Sequence, residues 1–162
     1  MKPILLATDG SPSAAEATLE AIELANALGA PLVTIAVTHV TIPAYGYYRY
    51  PQILSELTKA DEEHVAKVLS DTKDAAAAAG VDCETIAGSG PVVEQICKAA
   101  RDRNARLIVI GAHGWGPLRR VVSGSVSTGV MHEARCPVLI VRGGPELLAD
   151  QPVVDFEEAI RH

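Results

Sequence analysis

At 162 residues the chain has the length of one domain with a proper hydrophobic core. Its 48% apolar content includes one Trp and one Phe, so the interior must be built mainly from Ala, Val, Leu and Ile. A net charge of −6 and no basic run longer than Arg119-Arg120 argue against nucleic acid as a partner, and no apolar run reaches the roughly 20 residues of a membrane span.

Pro3 to Ala7 reads as a first strand, closed by Asp9-Gly10. Ser11-Pro12 then opens a helix, Ser as N-cap and Pro at the first helical position. That helix runs through Ala15, Leu19, Ile22 and Ala25 and stops near Gly29, a C′ glycine. Pro31 to Val40 holds Leu-Val-Thr-Ile-Ala-Val, a strand buried on both faces. Thr41 to Gln52 reads as a loop carrying Tyr45, Tyr47, Tyr48 and Tyr50. Rings with few rotatable bonds suit a contact surface for a partner or a lid.

A long helix follows, with Leu54, Leu57, Val65, Val68, Leu69, Thr72, Ala76 and Ala79 at helical spacing, ending at Gly80. Val81 to Ala87 is a weaker strand. Gly88-Ser-Gly-Pro91 turns into a helix with Val93, Ile96, Cys97 and Ala100 inward. Leu107 to Ile110 and Val138 to Val141 are the fourth and fifth strands, with a helix from Val126 to Ala134 between them. Strand-helix alternation of this kind specifies an α/β fold, a parallel sheet with helices on both faces and right-handed crossovers. Residues 143–162 fall outside the alternation as an acidic C-terminal extension to a domain spanning 1–142.

Cys83, Cys97 and Cys136 show no C-x-x-C and lie in or beside apolar segments, which reads as buried thiols. Their odd number and the lack of a signal-peptide pattern predict a reducing, cytoplasmic setting.

The fourth strand runs into Gly111-Ala-His-Gly114, nine further residues, and Gly124-Ser125 at a helix start. Glycines reach positive φ and present no Cβ to an anion, while helix N-terminal amides supply donors. A strand, a glycine loop and a helix N-terminus together form a geometry for phosphate.

These residues resemble the universal stress protein family over roughly residues 1–142. Its ATP-binding members carry G-x2-G-x9-G-[S/T], met here at Gly111, Gly114, Gly124 and Ser125. The Ala7-Thr8-Asp9-Gly10-Ser11 end of strand one, the Gly90-Pro91 helix entry and Cys136-Pro-Val-Leu-Ile-Val141 also look like the family. The resemblance implies a Rossmann-like, adenine nucleotide alpha hydrolase-like sheet of five parallel strands in the order 3-2-1-4-5. It further implies a homodimer, and ATP between strands one and four. General physics points to the same crevice, since ligands of open α/β sheets bind where the strand order reverses.

The resemblance makes Asp9 the contact to adenine or ribose; the alternative, a helix cap, is already supplied by Ser11-Pro12. Val37 matches the adenine-side position, where a backbone amide serves even if the side chain is ordinary core. Gly111, Gly114 and Gly124 read as phosphate glycines, or else as plain turn glycines. Ser125, with Val126 behind it, offers a hydroxyl to phosphate or acts as an N-cap; Ser127 is a weaker candidate of the same type. His113 reaches a phosphate or faces solvent. Arg119 and Arg120 read as solvated, and His39 and His64 as core or surface residues.

In that strand order Val138 to Val141 is an unguarded apolar edge, which pairing with a two-fold copy would cover. The chain lacks the P-loop G-x-x-x-x-G-K-[ST] and shows no H-E-x-x-H, nucleophile elbow or kinase signature. The reading is therefore an ATP-binding dimeric sensor or adaptor, not a fast enzyme, with any Mg2+ held through the phosphates. Its alternatives are a slow ATPase or phosphotransferase, and a dimeric interaction protein that binds no nucleotide.

Overall fold

The computed structural model describes residues 1–38, 51–112 and 124–142. The elements are β1 (Ile4–Ala7), α1 (Pro12–Leu28), β2 (Leu32–Thr38), α2 (Pro51–Ala78), β3 (Cys83–Ser89), α3 (Val92–Asp102), β4 (Leu107–Gly111), α4 (Ser125–Glu133) and β5 (Val138–Val141). The strands form one sheet in the order β3-β2-β1-β4-β5. Every pairing is parallel, with Ile4 to Ala7 of β1 opposite Leu32 to Ile35 on one side and Leu107 to Ile110 on the other.

Alternating side chains of the central strands feed two cores. Leu5, Val33 and Ile108 pack with Ile96 and Ala100 of α3 and Val130 of α4. Ile4, Leu6 and Val109 pack with Ala17 and Ala21 of α1 and Ala76 of α2. Each fully buried Ile or Leu contributes about 1.5–3 kcal/mol relative to exposure. The described ion pairs, such as Lys67–Asp71 and Lys98–Asp102, lie on exposed side chains and contribute little by comparison.

Ser11 caps α1, its hydroxyl oxygen accepting the Ala14 N–H at 3.3 Å, and Pro12 follows at the first helical position. Gly29 ends the helix in the left-handed region at φ 58°. The buried stripe corrects the expected one. Ala14, Ala17, Ala21, Ile22 and Ala25 face inward, whereas Ala15 is exposed and Leu19 is 58% exposed. Small side chains let α1 lie close to β1 and β4, and a leucine at that depth would hold the helix away.

Pro51 is the first residue of α2, so the loop expected through Gln52 ends earlier. Proline fits there because its missing N–H would be unpaired anyway. Val65, Leu69, Thr72 and Ala76 are its buried positions, while Leu57 is 52% exposed. The reason is length: 28 helical residues span about 42 Å and the seven of β2 about 23 Å. Ala76 packs near the starts of the strands and Val65 beside Ala36 near the end of β2. The residues before Val65 therefore rise past the carboxyl edge of the sheet.

Candidate functional site

The carboxyl ends of β1 and β4 lie side by side, with Ala7 opposite Ile110. From there β1 turns into α1, and β4 leads through the loop into α4. Because β1 continues to β2 on one side while β4 stands on the other, this is the point where the strand order reverses.

On the β1 side the chain turns through Thr8, Asp9 and Gly10. Asp9 Oδ1 accepts the Ser11 N–H at 2.9 Å, so its carboxylate does have a place in the turn besides the cap that Ser11 supplies. Asp9 is exposed at the edge of the crevice. Gly10 has φ +74°, and a Cβ there would meet Val68 Cγ2 at 2.7 Å. His64 Nε2 lies 3.0 Å from the Asp9 carbonyl oxygen. A carbonyl only accepts, so the ring carries its proton on Nε2 and donates. From sequence alone His64 reads as a core or surface residue. The structure brings it to the Asp9 turn, and only tertiary contact reveals this, since the two residues lie 55 apart in the chain.

On the β4 side, Gly111 and Gly124 differ from the expected positive-φ glycines. Among the described residues positive φ occurs at Gly10, Gly29, Gly80, Gly90 and Asn104. Gly124 sits at φ −67°, open to any residue. Gly111 is bare for another reason: a Cβ there would lie 2.9 Å from the Ser13 carbonyl oxygen in the first turn of α1. The Gly124 N–H donates to the Ala112 carbonyl at 2.7 Å. Ser127 is 2% exposed and its hydroxyl donates inward, to the Gly124 carbonyl at 3.0 Å and toward that of Ala112 at 3.3 Å.

Gly124 is the N-cap of α4 and offers no side-chain cap, and the first turn holds no acidic residue. By contrast α1 is capped by the Ser11 hydroxyl, and α3 carries Glu94 in its first turn. The positive end of α4 thus receives no anionic or hydroxyl compensation from its own cap. Ser125 stands there exposed, with Val126 half-buried behind it.

Val37 is half-buried and packs toward the core shared by α3 and α4. Its Cγ2 approaches Gly88, where a Cβ would lie 3.1 Å away. The β1 ladder stops at Ala7 opposite Ile35, and the Ile35 carbonyl accepts the Thr8 N–H at 3.0 Å. Peptide groups two residues apart on a strand face the same way, so the Val37 amide and carbonyl point past the end of β1 into the crevice.

His113, Gly114, Arg119, Arg120, His39, the Tyr45–Tyr50 segment, the side chain of Leu54 and residues 143–162 lie outside the described residues. Among the described residues no group of three His, Cys, Asp or Glu forms a metal site, and no helix is long and apolar enough to cross a membrane. Cys83 and Cys97 are buried and Cys136 is half-buried. Burial pushes all three thiols above their usual range, which disfavours thiolate chemistry.

Fold and crevice together define a doubly wound parallel α/β protein with two helix N-termini flanking its switch point. The model of the universal stress protein family matches residues 1–142, and the chain belongs to that family. A universal stress protein from Thermus aquaticus is 39% identical over 142 residues, covering 87% of this chain and 98% of that protein. The structure of UspA from Lactobacillus plantarum superposes with a TM-score of 0.75 at 27% identity, covering 87% of this chain and 97% of that one. A universal stress protein in complex with cAMP superposes with a TM-score of 0.66 at 26% identity, covering 88% and 98%.

Proposed function

We propose that the protein binds an adenine nucleotide, ATP, in the crevice between β1 and β4 and works as a dimeric, cytoplasmic sensor or adaptor. The observation that carries this reading is the α4 N-terminus, with neither a side-chain cap nor an acid in its first turn, beside the Asp9 turn. A polyphosphate supplies the missing negative charge. The similar protein that holds cAMP supports an adenine ligand.

In this reading the Val37 peptide meets adenine, and the Asp9 carboxylate meets the ribose or base. Ser125 donates its hydroxyl and, with Val126, main-chain amides to phosphate. Gly124 keeps the approach clear. The proposed phosphate contacts of His113 and Gly114 belong to the same loop, and Mg2+ arrives on the phosphate oxygens. Ser127 serves from within, holding the base of the loop together. No general base or P-loop lysine is assigned, so the proposal is ligand-driven signalling without rapid hydrolysis.

The dimer is proposed to form by antiparallel pairing of β5 with its two-fold copy. All four residues of β5 are only half-buried, and Val138-Leu-Ile-Val141 carries no guarding charge. The tyrosine segment 45–50 is proposed as a surface for another protein.

Calorimetric titration of Mg-ATP, metal-free ATP and cAMP into nucleotide-stripped protein tests the reading. Saturation at one ATP per chain is expected. An absence of heat with an unchanged melting temperature overturns it.

A further inference from the structure

We propose that His64, on α2, is a positioning residue of the nucleotide crevice, acting through the main chain of Asp9 on the aim of its carboxylate. The inference rests on the nucleotide reading above and assigns a residue that the glycine motif does not contain.

Three contacts converge on one short turn. His64 Nε2–H donates to the Asp9 carbonyl at 3.0 Å. His64 and Val68, one helical turn apart, press on Gly10: a Cβ there would lie 2.7 Å from Val68 Cγ2 and 3.5 Å from His64 Cε1. Asp9 Oδ1 accepts the Ser11 N–H at 2.9 Å, and Ser11 in turn caps α1. The peptide that follows Asp9 is thereby held by α2 at its carbonyl and by Thr8 Oγ1 at its Gly10 N–H, at 3.3 Å, while the Asp9 carboxylate is held by the Ser11 N–H.

Gly10, at φ +74°, has no side chain of its own to restrict this turn. Without an outside hold, rotation about Gly10 would swing the Asp9 peptide and its carboxylate together. The ring prevents that swing from a surface position, since His64 itself is exposed. Its removal therefore leaves both cores intact and loosens only the turn. The order in which a ligand meets a fixed Asp9, without first having to arrange it, is what the contact contributes.

The test measures ATP affinity by calorimetry for the wild type, His64→Ala, His64→Gln, Asp9→Ala and the double variant His64→Ala/Asp9→Ala, with melting curves for each. His64→Ala is expected to melt close to the wild type and to bind ATP roughly three- to tenfold more weakly. His64→Gln, whose amide N–H reaches the same carbonyl, restores most of that loss. In the Asp9→Ala background the His64→Ala change adds nothing, because the effect passes through Asp9. Unchanged affinity in His64→Ala, no recovery in His64→Gln, or additive losses in the double variant each overturn the proposal. Absence of ATP binding in the wild type overturns the nucleotide reading and this one with it, whereas wild-type binding with an indifferent His64→Ala removes only the role of His64.

Discussion

The carbonyl oxygen of Ser13 lies 2.9 Å from where a side chain on Gly111 would begin. The first motif glycine thus has a duty in folding that needs no ligand: it lets β4 run directly beneath the first turn of α1. Gly111→Ala forces backbone apart from backbone, with no flexible side chain to yield. The variant is expected to lose about 1–3 kcal/mol of stability without nucleotide, read from urea unfolding. An unchanged midpoint contradicts this account of the glycine.

Ser125 and Ser127 are two residues apart and are expected to fail in different assays. Ser127→Ala removes the buried hydroxyl that ties Gly124 to Ala112 and costs about 1 kcal/mol of stability. Ser125→Ala leaves stability near the wild type and weakens ATP binding by about 1–3 kcal/mol. Melting curves and calorimetry on the pair check both halves, and equal behaviour of the two variants contradicts the assignment.

The three thiols should separate by burial. Desolvation raises the pKa of Cys83, Cys97 and Cys136, so at pH 8 each is mostly protonated in the folded protein. With an aromatic disulfide reagent, Cys136 is expected to react first, and Cys83 and Cys97 only after denaturant is added. The linkage has a definite sign. Above the ordinary thiol range, near pH 8.5, the unfolded chain has lost thiol protons that the folded one keeps. The thiols' contribution to stability is therefore fully present below that range and declines as pH rises toward the folded values.

The edge strand offers a test on the main chain. The Val141 carbonyl accepts from Ala112 and so faces β4, which turns the peptide groups of Val138 and Ile140 outward. Ile140→Pro deletes one outward N–H and leaves the groups that face β4 in place. Light scattering is expected to show a dimer for the wild type and a monomer for the variant. A persisting dimer contradicts pairing through β5.

Strand and helix placement were readable because each apolar run, Ile4 to Ala7 or Leu107 to Ile110, is short, aliphatic and bounded by turn residues, whereas the order of the strands in the sheet came only from the resemblance to the family. The capping chemistry of Ser11-Pro12 and Gly29 was equally plain. The α1 stripe was not, because Ala14 and Ala17 carry too little hydrophobicity to outvote Leu19 on the page, although close packing selects them. The start of α2 at Pro51 was missed where tyrosines and prolines suggested loop. In the site, glycine spacing marked the right segment, yet the reason Gly111 is glycine lies in Ser13, nearly a hundred residues earlier. His64 left no trace in the sequence, since its partner is a main-chain carbonyl that any residue supplies.

Because β1 lies between β2 and β4, the strand that comes first in sequence is the middle one of the sheet. Ile4 to Ala7 is made before the other four strands, and β2 and β3 can join it before β4 is made. Its other neighbour, Leu107 to Ile110, is about a hundred residues away in synthesis. At translation speeds of about 5–20 residues per second, that flank of β1 waits on the order of 5–20 s for its partner. Throughout that interval the growing chain presents bare apolar strand to its surroundings. Until Leu107 to Ile110 is made, no strand of the sheet covers that flank of β1.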